Sequence, residues 1–175
     1  AAMKGRGIQL SITSPQSVLG YKSFAVNDSN YIYIGRDRRL SANLRLQAAD
    51  GAGLLVSTED ADSTSLQNVT VSMNHFELGK LFTVLPFAPN ISGVLDGDYH
   101  IVQTASDLTV STDMTVKKLV YENCPMGDVG TQFVYMPKDG GSHYVDGIIT
   151  QNGKEVGILS GTYHSEGAGS LDATL

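Results

Sequence analysis

LDGDYHIVQTASDLTVSTDMTV, residues 95–116, is the stretch of sequence that decides the fold. Apolar and polar side chains alternate in both halves of it, and the apolar members of each half share one parity. Side chains of a β-strand point alternately to opposite faces of the sheet, so the stretch predicts two long strands with one apolar and one polar face. The predicted apolar face carries Leu95, Tyr99 and Ile101 in the first strand and Leu108, Val110, Met114 and Val116 in the second.

The same period of two runs through most of the chain. Segments with this pattern recur at 8–12, 42–46, 69–73, 119–121, 133–135, 143–150, 155–163 and 171–175, while 31–34, which is apolar on both faces, and 54–56 are further short strands. Asn152-Gly153 is the dipeptide most typical of a two-residue hairpin turn, and the parity shift at Lys117-Lys118 predicts a β-bulge. The sequence therefore predicts about a dozen short strands that follow one another as a meander.

One segment departs from this pattern and predicts a single short amphipathic helix around 75–85. The apolar residues that follow the three- and four-residue spacing of one helix face are Leu78, Leu81, Phe82 and Leu85. Asn74 and Glu77 are a capping pair for its first turn, and Pro86 is expected to stop it.

The fold class that follows is all-β, a meandering antiparallel sheet with one helix. A period of two does not distinguish a closed sandwich or barrel, whose apolar face is ordinary core, from an open sheet whose apolar face lines a groove. We expect residues 7–175 to be one segment cut from a longer, repetitive protein, and residues 1–6 to be linker or vector-derived sequence. Residues 8–12 and 171–175 are then edge strands, which favour edge-to-edge self-association.

The overall composition argues against several functions. The net charge of −6 argues against nucleic acid and against electrostatic docking on anionic lipid head groups. No apolar run approaches the ~18 residues of a membrane-spanning helix. The single cysteine, Cys124, cannot form an internal disulfide.

No constellation of residues suggests catalysis, a metal or a cofactor. The histidines, His75, His100, His143 and His164, have neither helical nor metal-site spacing, and Gly-x-Ser-x-Gly is absent. The acidic run 59–62 lacks the glycine and the distal glutamate of a calcium loop. We therefore expect a protein that is not an enzyme, with no catalytic, cofactor-binding or metal-binding residues.

A family resemblance lies in the segments FELGKL, residues 76–81, and LPFAPNISGVLDGD, residues 85–98. They resemble the TamB (translocation and assembly module) family of the Gram-negative envelope, which is related to AsmA and to bridge-like lipid-transfer proteins. The family's short helix followed by a Gly-x-Leu-x-Gly strand entry is matched at 93–97. Weaker matches at 120–128 and 161–175 extend the likeness over most of residues 40–175, and Tyr135-Met136-Pro137 is similar to Bacteroidota members.

The resemblance implies an architecture and a location, with no catalytic residue to carry over. It implies a sheet curled into a U-shaped trough or a partly open barrel, lined by the apolar residues of 95–116 named above. It also implies a periplasmic protein, anchored to the inner membrane by a segment absent from this sequence. Such a protein would conduct phospholipid acyl chains, or assist outer-membrane protein assembly and secretion with an Omp85-type partner.

Three functions stay open at this point. The first is a trough that shields acyl chains in outer-membrane biogenesis. The second is a module that binds a partner protein by strand addition to an exposed sheet edge. The third is a closed β-sandwich that binds or hydrolyses glycans, for which a chain without tryptophan is poorly equipped.

The scattered histidines lead to the first testable prediction. We expect the purified protein to hydrolyse no ester, phosphoester or glycoside, because no nucleophile has a base beside it. Chromogenic substrates of each class, assayed on wild type and on the His100→Ala and His143→Ala variants, test this. An activity that either substitution abolishes would contradict the prediction.

Overall fold

A computed structural model of the chain describes residues 2–4, 7–19, 22–37, 39–59, 65–82, 89–164 and 170–174. The described residues form 14 strands and one short α-helix. The strands are β1 Ala2–Lys4, β2 Gly7–Leu10, β3 Gln16–Leu19, β4 Lys22–Val26, β5 Tyr31–Ile34, β6 Leu40–Gln47, β7 Gly53–Glu59, β8 Gln67–Glu77, β9 Ile91–Gln103, β10 Leu108–Tyr121, β11 Cys124–Lys138, β12 Ser142–Gln151, β13 Lys154–His164 and β14 Ser170–Thr174. Helix α1 spans Leu78–Phe82 between β8 and β9.

All of these strands belong to one antiparallel sheet. Its order is β1-β2-β5-β6-β7-β8-β9-β10-β11-β12-β13-β14, and the hairpin of β3 and β4 joins it where β4 pairs with the end of β6. The predicted all-β meander with one short helix is therefore confirmed. The described residues form one sheet, and its end strands β1 and β14 do not pair with each other, so they make neither a two-sheet sandwich nor a closed barrel.

The long ribbon predicted at 95–116 is the pair β9 and β10. Leu95 lies opposite Val116 and Ile101 lies opposite Val110, so the predicted apolar residues share one face as expected. The connecting turn is closed by the Thr104 N–H, which donates to the Asp107 carbonyl at 2.9 Å.

Two bulges adjust the register of the longest strands. Lys118 in β10 has a φ of 51°, which confirms the bulge predicted from the parity shift. Its N–H donates to Asp128 Oδ1 at 2.8 Å. A second bulge, at His75 in β8, has a φ of 58°, and its N–H donates to Asp96 Oδ1 at 2.7 Å. Each carboxylate satisfies a backbone donor that the bulge removes from the ladder.

The helix begins later than predicted, and its predicted cap is wrong. Asn74 and Glu77 lie in β8, which continues through the bulge so that Phe76 pairs opposite Leu95. The burial of Phe76 against β9 outweighs the helical spacing of the residues that follow it. Helix α1 begins only at Leu78, and the predicted stop at Pro86 lies outside the described residues.

The structure explains why Gly93, the first residue of the Gly-x-Leu-x-Gly strand entry, is a glycine. Its φ is 142°, and a Cβ there would lie 2.8 Å from Val116 Cγ1 and 3.0 Å from the Lys117 carbonyl oxygen. Any larger residue would therefore push β9 away from β10 beside the Lys118 bulge.

The sheet curls toward its apolar face. Phe24 of β4 and Phe76 of β8 stack with ring centroids 5.9 Å apart and planes 15° apart. In a flat sheet these strands, separated by β6 and β7, would lie about 14 Å apart, because neighbouring strands are spaced by ~4.8 Å. The β3–β4 hairpin, which the sequence did not predict, therefore folds over one end of the sheet. The core formed there comprises Phe24, Val26, Leu44, Leu46, Ala48, Ala52, Phe76, Leu78, Leu95 and Val116.

The edges of the sheet differ in one respect from expectation. Strand β14 is an edge, as predicted for 171–175, but β2 is not, because β1 pairs along its outer side. Within the described part of the chain, the short strand β3 pairs only with β4 and is a further edge, as is β1. Val18 on β3 is 74% exposed, so this edge presents an apolar side chain beside its unpaired backbone groups.

These edges lead to a prediction about self-association. We expect concentration-dependent association that Val18→Lys and Leu171→Lys each weaken, because a lysine on an edge strand opposes pairing with a second chain. Sedimentation equilibrium over a range of protein concentrations measures it. Ile158→Lys is the control, since Ile158 is an exposed isoleucine of β13 that lies opposite Ile148 of β12 on one side and Thr174 of β14 on the other. A strict monomer at all concentrations would contradict the prediction.

Candidate functional site

The candidate site is the apolar face of the sheet, defined by the residues predicted from the ribbon. Leu95, Tyr99 and Ile101 of β9 lie opposite Val116, Thr112 and Val110 of β10, and Gly97 lies opposite Met114. Leu108 continues the same face at the start of β10. The structure therefore brings every predicted lining residue onto one surface.

This face has a closed end and an open end. At the closed end Leu95 and Val116, each 9% exposed, belong to the core that Phe24 and Phe76 cover. The side chains of Tyr99, Ile101 and Val110 are half-buried, and Leu108 at the open end is 39% exposed. Solvent exposure thus increases along the ribbon away from the β3–β4 hairpin.

Two polar atoms lie within the apolar face. The Tyr99 hydroxyl donates to Met114 Sδ at 3.1 Å, which turns the phenol along the surface. Thr112 Oγ1 is buried without a hydrogen-bond partner. An unpaired hydroxyl is unfavourable by roughly 1–3 kcal/mol, so Thr112 is the weak member of an otherwise apolar row.

Strands β11–β13 extend the face beyond the predicted residues. Phe133 lies opposite Thr112, and Tyr135 opposite Val110, so both continue its cross-strand rows. The residues that add to the lining are Phe133, Tyr135, Val145, Ile149 and Leu159. Their alternation is visible in the sequence. Their alignment with β10 depends on the hairpin turns, including one at Glu122 and Asn123, with φ of 46° and 66°, that sequence reasoning missed.

Among the residues that the structure describes, no second layer packs on this extension. Strands β11, β12 and β13 contact principally the strands to which they are hydrogen-bonded. Their apolar-face side chains are half-buried by their neighbours alone, and the His143 ring stacks on Tyr135 with centroids 5.0 Å apart. The part of the face that runs from β9 to β13 is therefore a single apolar surface, open on one side.

The opposite face of the ribbon is polar. Among the residues expected to face water, Asp113 is exposed, whereas Thr109, Ser111 and Thr115 are half-buried. Gln132 Nε2 donates to Asp113 Oδ2 at 3.1 Å, and a shallow depression of about 380 Å³ lies between Asp98 and Asp146. The two faces of the ribbon thus differ in chemistry as the sequence indicated.

The histidines lie on unrelated parts of the sheet. His75 forms the β8 bulge, His100 Nδ1 lies 3.2 Å from Thr70 Oγ1 on the polar face, and His143 is on the apolar face. His164 ends β13, and its side chain lies outside the described part. In the described part of the chain no three His, Cys, Asp or Glu side chains are placed to hold a metal ion.

An ion-pair cluster fixes the closed end. Lys22 Nζ on β4 lies 2.6 Å from Asp50 Oδ2 and 3.2 Å from Glu77 Oε1, while Lys80 Nζ lies 2.7 Å from Glu77 Oε2. The hydrogen bond from Lys22 lowers the pKa of Asp50. The bonds from Lys80 and then Lys22 lower the pKa of Glu77, and the bond to Asp50 raises the pKa of Lys22. Lys22 thereby ties the β3–β4 hairpin to the β6–β7 turn and to the end of β8.

Comparison with known proteins finds no match to a family model, to a curated protein or to a solved structure. The family resemblance of residues 76–98 therefore stays a prediction. In the described residues no helix has the length and apolar character needed to cross a membrane.

The Lys22 cluster leads to a prediction about pH. The pKa values of Asp50 and Glu77 are lowered by folding, so their contribution to stability is complete above about pH 5 and is lost as the pH falls through the folded pKa values. We expect the free energy of unfolding of Lys22→Met to fall less steeply than that of wild type as the pH is lowered from 6 to 2. Urea denaturation at each pH measures it.

The control for this prediction is Lys117→Met, which removes the exposed ion pair with Asp96. It should leave the acid limb close to that of wild type, because exposed pairs contribute little. Identical acid limbs for Lys22→Met and wild type would contradict the role given to Lys22.

Proposed function

We propose that this chain is a non-enzymatic segment of a TamB-like β-trough that shields phospholipid acyl chains from water. The observation that carries the proposal is the open apolar surface that runs across β9–β13 on a single curled sheet. A second sheet would make the same residues an ordinary core. Uncovered, they offer an apolar ligand a place to lie.

The physical basis of recognition is exclusion of water along a strip. Each methylene that leaves water contributes roughly 0.8 kcal/mol, so many weak contacts suffice and no fixed polar partner is needed. The half-buried rows through Val110 and Phe133 supply such contacts from strand to strand. This accounts for a sequence with a strong two-residue period and no binding motif.

The cellular setting rests on the family resemblance. In this proposal the chain works in the periplasm, as part of a longer protein held at the inner membrane. There it supports outer-membrane biogenesis by conducting phospholipid, by assisting outer-membrane protein assembly and secretion with an Omp85-type partner, or by both. No catalytic step is involved.

Strand addition is the second candidate function. Among the described residues the outer sides of β1, β3 and β14 pair with no other strand, and such edges suit an extended segment of a partner protein. Binding by the β3 or β14 edge would be lost in the Val18→Lys or Leu171→Lys variants, while acyl-chain binding by the apolar face would not. The two candidates are therefore separable.

Native mass spectrometry of the purified protein tests the proposed function by detecting bound phospholipid. Val110→Asp is the test variant. We expect phospholipid to accompany the wild type and to be lost in Val110→Asp, because a charge on the open part of the face repels an acyl chain. The variant should remain folded, since Val110 is half-buried and its charge can reach water.

Thr109→Asp is the matched control. It places the same charge one residue away on the polar face, so it should keep the lipid. Global unfolding of Val110→Asp together with a wild type free of lipid would refute the proposal, because that pair of results describes a closed core.

A further inference from the structure

One corner of the sheet combines exposed aliphatic side chains with arginines. It lies where the turn 35–39 joins β5 to β6, and we call it the basic corner: Ile8, Leu10, Ile34, Arg36 and Arg39. The Gly35 N–H donates to the Arg39 carbonyl at 2.9 Å and closes the turn. Ile34 ends β5 directly before this turn, so the aliphatic and cationic groups are neighbours in the chain.

The aliphatic part of the corner is unusually exposed. Ile8 lies opposite Ile34, and Leu10 lies opposite Ile32, so these side chains share the apolar face. Ile8 is 53% exposed, Ile34 45% and Leu10 43%. Adjacent exposed aliphatic side chains on one face are typical of a surface that meets an apolar partner.

The corner belongs to the open end of the apolar face. Ile34 lies opposite Leu40, whose N–H donates to Gln67 Oε1, and Gln67 in turn lies opposite Gln103 at the end of β9. The β3–β4 hairpin covers the other end of the strands. The end of the apolar face away from that hairpin is therefore the end that is open to an acyl chain.

The charges of the corner favour an anionic partner. Arg36 and Arg39 are both exposed, and Arg39 Nε lies 3.4 Å from Asp37 Oδ2, so two cations face one anion within the described part of the turn. Guanidinium groups match phosphate oxygens in a bidentate geometry. Other turns at the open end carry acidic residues, Glu59 and Asp107, so the positive charge is local in a protein whose net charge is −6.

We propose that the basic corner docks the protein on an anionic phospholipid surface. Ile8, Leu10 and Ile34 insert among the acyl chains at the interface, and Arg36 and Arg39 bind head-group phosphates. The consequence of docking rests on the proposed function: lipid would pass between this surface and the open end of the apolar face. Docking itself is a separate property and is measured separately.

Flotation with vesicles tests the docking. Wild type is expected to bind vesicles of phosphatidylcholine with phosphatidylglycerol more tightly than vesicles of phosphatidylcholine alone, and salt should weaken the binding. In the variant Arg36→Ala/Arg39→Ala the partition coefficient for anionic vesicles should fall about 30-fold. This figure follows because each cation near such a surface contributes roughly 1 kcal/mol. The variant Ile8→Ser/Ile34→Ser should lose binding to both kinds of vesicle.

A matched control removes the same charge from the opposite end of the strands. Lys117→Ala/Lys154→Ala replaces exposed lysines there and should bind anionic vesicles as wild type does. Equal losses in the arginine and lysine variants would make net charge the cause and overturn the proposal. Wild-type binding that neither the arginine nor the isoleucine variant alters would also overturn it.

A second copy of the chain is the competing occupant of the corner. Sedimentation velocity that showed a dimer, abolished by Ile8→Ser/Ile34→Ser, would assign the corner to self-association and overturn docking. Lipid recovered by native mass spectrometry from a protein that binds no vesicles would overturn docking alone and leave the proposed function standing.

Discussion

The stacking of Phe24 on Phe76 is the contact on which the shape of the molecule depends. A sheet of this width has two faces and, in the described residues, no second sheet to cover either. Its apolar side chains leave water only by curling toward one another. The 5.9 Å approach of rings on strands that are not neighbours brings this about at one end, and the Lys22 ion pairs hold the hairpin that carries Phe24 in place.

The solvent exposure of the rest of the apolar face depends on how far that curl extends along the strands. Leu95 and Val116 are drawn into the packed end, whereas Leu108 and Ile34, on the same face, remain partly in water. A uniform core would not produce this difference. It arises because one covering hairpin spans only part of the length of the strands, so a single face serves as core at one end and as exposed surface at the other.

The sequence predicted what depends on local periodicity. It placed the strands of the ribbon, their common face, the Asn152-Gly153 turn and the Lys118 bulge, each of which depends on a few neighbouring residues. It missed the β3–β4 hairpin, whose position is set by a distant ring, Phe76. It also assigned residues 75–77 to the helix and Asn74 to its cap, because their spacing fits a helix. The long-range pairing of Phe76 with Leu95, which keeps these residues in β8, cannot be seen in the local spacing. The extension of the face to Phe133 and Tyr135 needed the register of further hairpins.

In the proposed function the face recognises its ligand by length, so charged groups that act on the ligand must lie where the ligand ends. Beneath a bound acyl chain, an ion within the rows through Val110 and Phe133 would lose its hydration without gaining a partner, which is unfavourable. Cations that select a phosphate must then lie at a rim, beside water. Arg36 and Arg39 occupy such a rim next to exposed isoleucines, whereas Lys22 at the packed end is engaged by Asp50 and Glu77. Lys22 thus fixes the fold at one end, whereas Arg36 and Arg39 at the other end are the groups that would bind phosphate in the proposed docking.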